Sequence, residues 1–298
     1  MKVAVTGATG FLGRYIVNHL LRSGDFCRCW FRPESDRGGF EEGSDSRIEW
    51  LPGELADDRS AKELVDGVDA VVHAALYRPG AGFRGAEGNI NEFVAKNIGG
   101  SIQLIQAAVD AGVERFVFIS TCAVHEQILD DRPLDEAHPL RPFSHYGAHK
   151  AAIEKFMHSY GLGHNYNICS LRPTGIYGAA RPIENSKWYR LVQAVRAGEP
   201  VRSERGGKEV HAADVAAAVG ILLDADGTAG QAYNCYDLYI SEQEVATIAR
   251  DLTGSSSEIA EINKGPKNQI STEKLRALGM SFGGRERLKE TIRELVEA

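Results

Sequence analysis

The N-terminal segment Met1-Lys-Val-Ala-Val-Thr-Gly-Ala-Thr-Gly-Phe-Leu-Gly13 constrains this chain more than any other stretch. The apolar run Val3 to Val5 has the composition of a buried parallel strand. It leads into Gly7, Gly10 and Gly13 and then into a helical pattern of Phe11, Leu12, Tyr15, Ile16, Leu20 and Leu21. A strand, a glycine turn and a helix are the setting in which such spacing binds a dinucleotide. Gly7 permits the tight turn, Gly10 lets the backbone approach a pyrophosphate, and Gly13 lets the helix lie close to the strand. The N–H groups of the Thr9-Gly10-Phe11-Leu12 stretch, at the positive end of the helix dipole, suit phosphate oxygens.

A chain of 298 residues can form one large or two small domains with an ample core. The net charge of −7 argues against a nucleic-acid surface. No apolar stretch reaches the roughly 20 residues of a membrane span, so no membrane partner is expected. With a strand predicted to begin at Lys2, no secretory leader is expected. Cys27, Cys29, Cys122, Cys169 and Cys235 are odd in number, scattered and form no C-x-x-C pair. That pattern suits a reducing cytoplasm, the expected location.

Strand and helix patterns alternate through the first half. Strands are predicted at Phe26–Phe31, Ala70–Ala75, Arg115–Ser120 and Asn167–Leu171, and helices at Ala61–Val65, Asn91–Ala111 and Tyr146–Tyr160. This series predicts an α/β fold, a Rossmann-type doubly wound parallel sheet over residues 1–172. Ligands of such sheets bind beyond the strand C-termini. After Arg172-Pro173 glycine, proline and charge increase, and short helices are expected at Trp188–Ala197, Asp214–Leu223, Ser241–Leu252, Ser271–Leu278 and Arg285–Val296. Residues 173–298 read as a smaller α/β C-terminal substrate lobe, with the chain re-entering the first domain around 205–235. Pro79-Gly-Ala-Gly82 and Gly85 mark a flexible loop.

Tyr146-Gly-Ala-His-Lys150 places a tyrosine and a lysine on one helix face. A tyrosine is a poor base at its usual pKa near 10. A neighbouring ammonium favours the phenolate, giving a proton donor or acceptor that works near neutral pH. A surface i,i+4 pair would look the same. Ser120-Thr121-Cys122 follows the RFVFIS strand, so its hydroxyls lie at a strand C-terminus, where they could bond a substrate oxygen or merely cap a helix. His145 and His149 have the spacing of a metal pair, but no third ligand accompanies them and no metal is expected. Asp130 to Glu136 reads as a solvated acidic loop.

Thr6-Gly-Ala-Thr-Gly-Phe-Leu-Gly13, His73-Ala-Ala75, Asn97, Ser120-Thr121, Tyr146-x-x-x-Lys150, Leu171-Arg-Pro173, Ile176-Tyr-Gly178 and His211-x-x-Asp214-Val215 occur in that order. The ordered set resembles the extended short-chain dehydrogenases/reductases, the NAD-dependent epimerase/dehydratase family, over essentially the whole chain. The resemblance implies hydride transfer at a hydroxyl or carbonyl carbon. Tyr146 would be the acid/base, Lys150 the group that holds the nicotinamide ribose, and Thr121 the assisting hydroxyl, with Ser120 as the fallback. Asn97 would shape its helix beside the cofactor, Ala74 and Ala75 would lie along it, and Pro173 and Thr174 would lie near the carboxamide. Thr121, Cys122, Thr174 and His211 are the residues expected to meet substrate. The family commonly forms homodimers through the helices that carry Asn97 and Tyr146.

The cofactor expectation is NADP over NAD. An acid at the end of the second strand selects NAD, whereas an arginine suits a 2′-phosphate. Here Phe31 stands at that position and Arg32-Pro33 follows, with Arg28 on the same strand face. Glu54-Leu55 replaces the usual aspartate and hydrophobic pair at the adenine. The small-molecule substrate is narrowed by three departures. Cys122-Ala123 replaces the Asp-Glu of sugar dehydratases, His125 replaces an aromatic residue, and Gly207 or Lys208 replaces an arginine that clamps a nucleotide diphosphate. A lysine is the weaker clamp, being a point charge. A sugar-nucleotide epimerase is the first reading. An NADPH-dependent ketone or aldehyde reductase of the dihydroflavonol-reductase type and a non-catalytic dinucleotide sensor are the alternatives.

Overall fold

Parallel strands need long crossovers, and the alternating pattern supplies a helix for most of them. The computed structural model describes residues 1–41, 43, 45–80, 85, 87–261 and 265–298. Part of the expected loop at Pro79 to Gly88, namely 81–84 and 86, lies outside the described residues. The chain runs through β1 (Lys2–Thr6), α1 (Phe11–Arg22), β2 (Phe26–Phe31), β3 (Ile48–Pro52), α2 (Asp58–Val65) and β4 (Ala70–His73). It continues through α3 (Ile90–Val94), α4 (Gly100–Asp110), β5 (Arg115–Ile119), α5 (His145–His158), β6 (Ile168–Pro173) and β7 (Gly175–Tyr177). Next come α6 (Tyr189–Arg196), β8 (Gly206–His211), α7 (Ala212–Asp224), β9 (Ala232–Cys235) and β10 (Leu238–Ser241). Helices α8 (Glu242–Thr253), α9 (Glu273–Ala277) and α10 (Gly284–Glu297) complete it.

Two compact units result. The first comprises Met1–Pro173, Val215–Cys235 and Ser271–Met280, and the second Thr174–Asp214, Tyr236–Ile270 and Ser281–Ala298. The chain thus returns to the first unit twice after Pro173.

The first unit is the expected Rossmann-type sheet: seven parallel strands in the order β3-β2-β1-β4-β5-β6-β9. The order reverses between β1 and β4, where Thr6 pairs with His73, so the glycine turn opens at the switch point. Alternate residues serve opposite faces. Ala4, Val71, Phe116, Phe118 and Ile168 pack with Leu64 of α2, Leu104 and Ile105 of α4 and Ile153 and Met157 of α5. Val3, Val5, Cys27 and Cys29 are equally buried, and α1 packs against β1 and β2. The second unit has a three-stranded sheet, β10-β8-β7, and a core of Tyr177, Trp188, Val192, Ile240, Val245 and Leu288.

Strand β3 has no counterpart in the sequence reading. It is an edge strand whose residues are half-buried or exposed, so no apolar run marks it. Strand β8 is hidden likewise in a stretch rich in glycine and charge. The helix expected over Asn91–Ala111 is continuous but contains a π-turn at Ala95–Gly99, directly under Asn97. No helix among the described residues is long and apolar enough to cross a membrane.

Helix α4 approaches the turn after β3 closely at Gly100, where a Cβ would come 2.5 Å from the Ala56 nitrogen. Gly100→Ala should therefore cost about 1–3 kcal/mol in denaturant unfolding. Gly99→Ala, whose Cβ would meet nothing within 4 Å, should be neutral or stabilising by up to about 1 kcal/mol.

Candidate active site

The glycine turn is shaped by close approach. Gly7 has φ +71°, and a Cβ there would lie 2.9 Å from the Ala74 carbonyl and the Ala75 nitrogen. A Cβ on Gly13 would collide with the Gly7 carbonyl oxygen and with Ala8. Gly10 closes the turn through its N–H to the Gly7 oxygen at 3.0 Å. Helix α1 begins with no acidic residue in its first turn and no side-chain cap on its N–H groups. Thr9, Gly10, Phe11 and Leu12 therefore bracket backbone donors to which no side chain of the helix has a claim, and this is a cradle that fits a pyrophosphate.

Behind the cradle runs a buried polar chain. The Thr6 hydroxyl accepts from the Ala74 and Ala75 N–H groups at 3.2 and 3.1 Å and contacts His73 Nδ1 at 2.7 Å. His73 Nε2 contacts the Ser101 hydroxyl at 2.9 Å, and that hydroxyl donates to the Asn97 carbonyl at 2.5 Å. Thr6 thus donates to Nδ1 and the imidazole to Ser101, which fixes one neutral tautomer. Burial pushes the His73 pKa down to about 3. The Asn97 amide is spent on the loop after β4, accepting from Tyr77 N–H at 2.8 Å and donating to the Tyr77 and Phe93 carbonyls at 2.9 and 3.0 Å. Any contribution of Asn97 to a cofactor site runs through the loop it holds.

Tyr146 lies in the first turn of α5. Ser144 caps that turn by accepting from Gly147 N–H at 3.0 Å, and Glu126 anchors Ser144 through its N–H and hydroxyl at 2.7 and 3.0 Å. A Cβ at Gly147 would come 2.6 Å from the Ala123 carbonyl oxygen, so this glycine lets α5 lie on the Thr121–Ala123 turn. One turn on, the buried Lys150 amine donates to the Ile119 carbonyl at 2.7 Å and lies 4.5 Å from the Phe118 ring centre. Burial lowers its pKa to about 7, opposed by the Glu154 charge. Helix α5, which carries Tyr146 and Lys150 on its first two turns, thus lies against the Thr121–Ala123 turn at the C-terminal end of β5.

Ser120 and Thr121 part ways there. The Ser120 hydroxyl donates to Glu154 Oε1 at 2.5 Å, whereas the Thr121 hydroxyl oxygen accepts from Ala123 N–H at 3.1 Å and keeps its proton for another acceptor. Thr121 is the hydroxyl not tied to a buried carboxylate. The Cys122 thiol donates to the Arg172 carbonyl at 3.0 Å, and burial raises its pKa to about 12. It is neutral near pH 7. His149 is buried, with its ring centre 5.1 Å from Phe93 and 5.4 Å from Tyr146. The acidic loop is not solvated throughout: Leu134 is buried, and Glu136 accepts from Asn234 N–H at 2.8 Å. Among the described residues no cluster is arranged to hold a metal ion.

The sequence profile of the NAD-dependent epimerase/dehydratase family matches residues 3–235. The chain belongs to that family. It is 30% identical over 273 residues to a 4-hydroxy-2-methyl-3-oxo-4-farnesyl-3,4-dihydroquinoline-1-oxide ketoreductase of Stigmatella aurantiaca, covering 88% of this chain and 76% of the relative. It is 27% identical to the Mus musculus dTDP-D-glucose 4,6-dehydratase, covering 93% and 83%. A dTDP-glucose 4,6-dehydratase structure from Streptomyces venezuelae, with NAD bound, superposes with a TM-score of 0.80 at 25% identity, covering 100% of this chain and 97% of that one. The UDP-glucose 4-epimerase of Thermus thermophilus shares the fold, with a TM-score of 0.80 at 24% identity and full coverage of both chains. The protein is therefore an enzyme of the short-chain dehydrogenase type with a Rossmann fold.

The residues expected at the adenosine end lie around β2. Arg32 is exposed and pairs with Glu34 at 3.1 Å. Arg28 pairs with Glu49 at 2.9 Å and donates to the Glu63, Leu64 and Asp66 carbonyls, so it caps α2. An unforeseen cation, Arg37, lies 4.7 Å over the Phe31 ring. Glu54 pairs with Lys96 at 3.1 Å, and Leu55 belongs to the core. Pro173 is buried at the end of β6. In the second unit, the Thr174 hydroxyl oxygen is buried without a hydrogen-bond partner. His211 accepts from Ala213 N–H at 3.0 Å, its ring meets Tyr177 edge-on at 5.0 Å, and burial lowers its pKa to about 4.

Gly13→Ala should weaken dinucleotide binding at least about tenfold, a loss of roughly 1.4 kcal/mol. Fluorescence titration with NADH and NADPH checks this; unchanged affinity with a folded variant would remove the cradle from the site.

Proposed function

We propose that this enzyme interconverts a secondary alcohol and a ketone on a sugar nucleotide, epimerising the carbon, with Tyr146 as the acid/base. The observation that carries this reading is that the helix bearing Tyr146 and Lys150 rests on the Thr121–Ala123 turn at the end of β5, with the cradle at the end of β1, two strands away. A nicotinamide dinucleotide, when bound, supplies the hydride acceptor and donor. Gly7 to Gly13 would hold its pyrophosphate, Ala74 and Ala75 would line it, and Lys150 would hold its ribose. Thr121 would donate to the substrate oxygen. Tyr146 would remove or return the proton at that oxygen, and the ammonium of Lys150 would favour its phenolate. Cys122-Ala123 offers no carboxylate to eliminate water, which argues against dehydration.

A ketone reductase is the second reading. It is favoured by Gly207-Lys208 at the place of the diphosphate clamp and by the likeness to a ketoreductase. Arg32, exposed at the end of β2, supports NADP over NAD, because a guanidinium can grip a phosphate with two hydrogen bonds. Val94 and Phe156, 43% and 44% exposed on α3 and α5, support a homodimer through these helices.

Tyr146→Phe should lower kcat about 10²–10⁴-fold while leaving dinucleotide affinity in place. Nucleotide released on denaturation, followed by panels of nucleotide sugars and ketones, separates the readings. Retained cofactor with no net redox indicates the epimerase, and net NADPH consumption indicates the reductase. No turnover on either panel overturns both. Arg32→Ser should weaken NADPH binding about 10–100-fold and spare NADH; equal losses would sink the NADP preference.

A further inference from the structure

We infer that Glu154 is a positioning residue for the reactive end of β5, fixing Ser120 beside Thr121 and setting a carboxylate one helical turn from Lys150. Its bearing on catalysis rests on the reading of Tyr146, Lys150 and Thr121 given above.

Glu154 follows Lys150 by one turn on the same face of α5. The two side chains grip consecutive residues of the strand end. Lys150 donates to the Ile119 carbonyl at 2.7 Å, and Glu154 Oε1 accepts from the Ser120 hydroxyl at 2.5 Å. Both carboxylate oxygens are also engaged by Arg172 on β6, Oε1 by Nε at 3.0 Å and Oε2 by Nη2 at 2.6 Å. Arg172 Nη1 in turn contacts His125 Nε2 at 3.2 Å and the Glu136 carbonyl at 3.3 Å. His125 must then be neutral with Nε2 as acceptor, and burial beside that guanidinium lowers its pKa to about 4. Ser120, His125, Glu154 and Arg172 are each no more than 4% exposed.

A buried pair serving the fold alone could be replaced by apolar packing at little cost. This one is connected at each end to residues that flank Thr121: Ser120 before it, and His125 at the close of the turn it caps. It also acts on Lys150. The groups that act on that amine are His149 and Glu154 on α5, His73 on β4 and the Phe118 ring on β5, with Arg172 behind Glu154. His73 and His149 are held neutral by burial, and Arg172 is matched by Glu154. Glu154 is therefore the negative charge that favours the ammonium.

The test uses full-length protein labelled with ¹³Cε-lysine, with the Lys150 resonance assigned by its loss in Lys150→Met. Glu154→Gln should move the Lys150 titration midpoint down by about half a pH unit or more. The high-pH limb of kcat/KM should move with it, and kcat should fall more than KM rises. Because Glu154→Gln strands the Arg172 charge, the double variant Glu154→Gln/Arg172→Gln is measured beside it, with a smaller downward shift expected because both charges of the pair are gone. Ser120→Ala, which keeps the ion pair, should leave the Lys150 midpoint in place and lower kcat by about tenfold. An unmoved midpoint in a folded Glu154 variant, or an unchanged kcat in Ser120→Ala, overturns the inference. The titration is read without turnover, so a wild-type protein with no activity would overturn the functional reading while the Lys150 shift still stood.

Discussion

The turn from β1 into α1 exists only because Gly7 and Gly13 carry no Cβ. At Gly7 a side chain would strike the chain leaving β4, and at Gly13 it would strike the turn itself. Removing those atoms lets α1 start against the sheet with its first N–H groups uncapped, so an anion is the natural partner for the helix end. The same approach sets the next layer. With β4 drawn against β1, Thr6 can take both the Ala74 and Ala75 N–H groups, and His73 can carry the connection through Ser101 to the carbonyl of Asn97. A buried histidine would be costly if unpaired. Here both ring nitrogens are satisfied, and the ring becomes a strut between sheet and helix.

A second close approach depends on Gly147. A glycine in the first turn of α5 costs helix stability in isolation, by about 1 kcal/mol relative to alanine. It is tolerated because it lets α5 rest on the turn that Thr121 caps. From that docking follow the burial of Lys150, its lowered pKa and its bond to Ile119. An ammonium sunk against Phe118 would lose much of its charge near neutral pH, and the carboxylate one turn below offsets part of that loss. Packing and proton chemistry are thus set by the same helix contact.

The parts legible in the sequence were those carried by local pattern. The glycine triplet, the strand runs at Phe26–Phe31 and Arg115–Ser120, and the Tyr146–Lys150 spacing each lie within a few residues, and the fold follows from them. What escaped was long-range or lacked apolar periodicity. Strand β3 is an edge strand without an apolar run. The Ser120–Glu154–Arg172–His125 connection joins four elements, and no spacing rule relates its members. The burial of His149 depends on Phe93 from another helix. Arg28, which even spacing places beside Arg32, caps α2 instead, because strand parity gives a face but not a partner.

The proposed reaction is supported by how the other polar groups along α5 and the Thr121 turn are committed. Cys122 is held as a neutral thiol, His149 is held neutral by burial, Ser120 is committed to Glu154, and Glu154 to Arg172. On the proposed reading Tyr146, backed by Lys150, shuttles a proton at one oxygen, which is the requirement of alcohol–ketone interconversion. Eliminating water needs a further group to take a carbon-bound proton and another to protonate the leaving hydroxyl. An epimerase and a reductase, by contrast, can share the same tyrosine, lysine and threonine and differ in whether the dinucleotide stays bound between turnovers. On the proposed reading, the discrimination between them would belong to residues that grip the cofactor's adenosine end and the substrate's remote groups, for which Arg32 and Lys208 are the candidates, rather than to the chemistry at Tyr146.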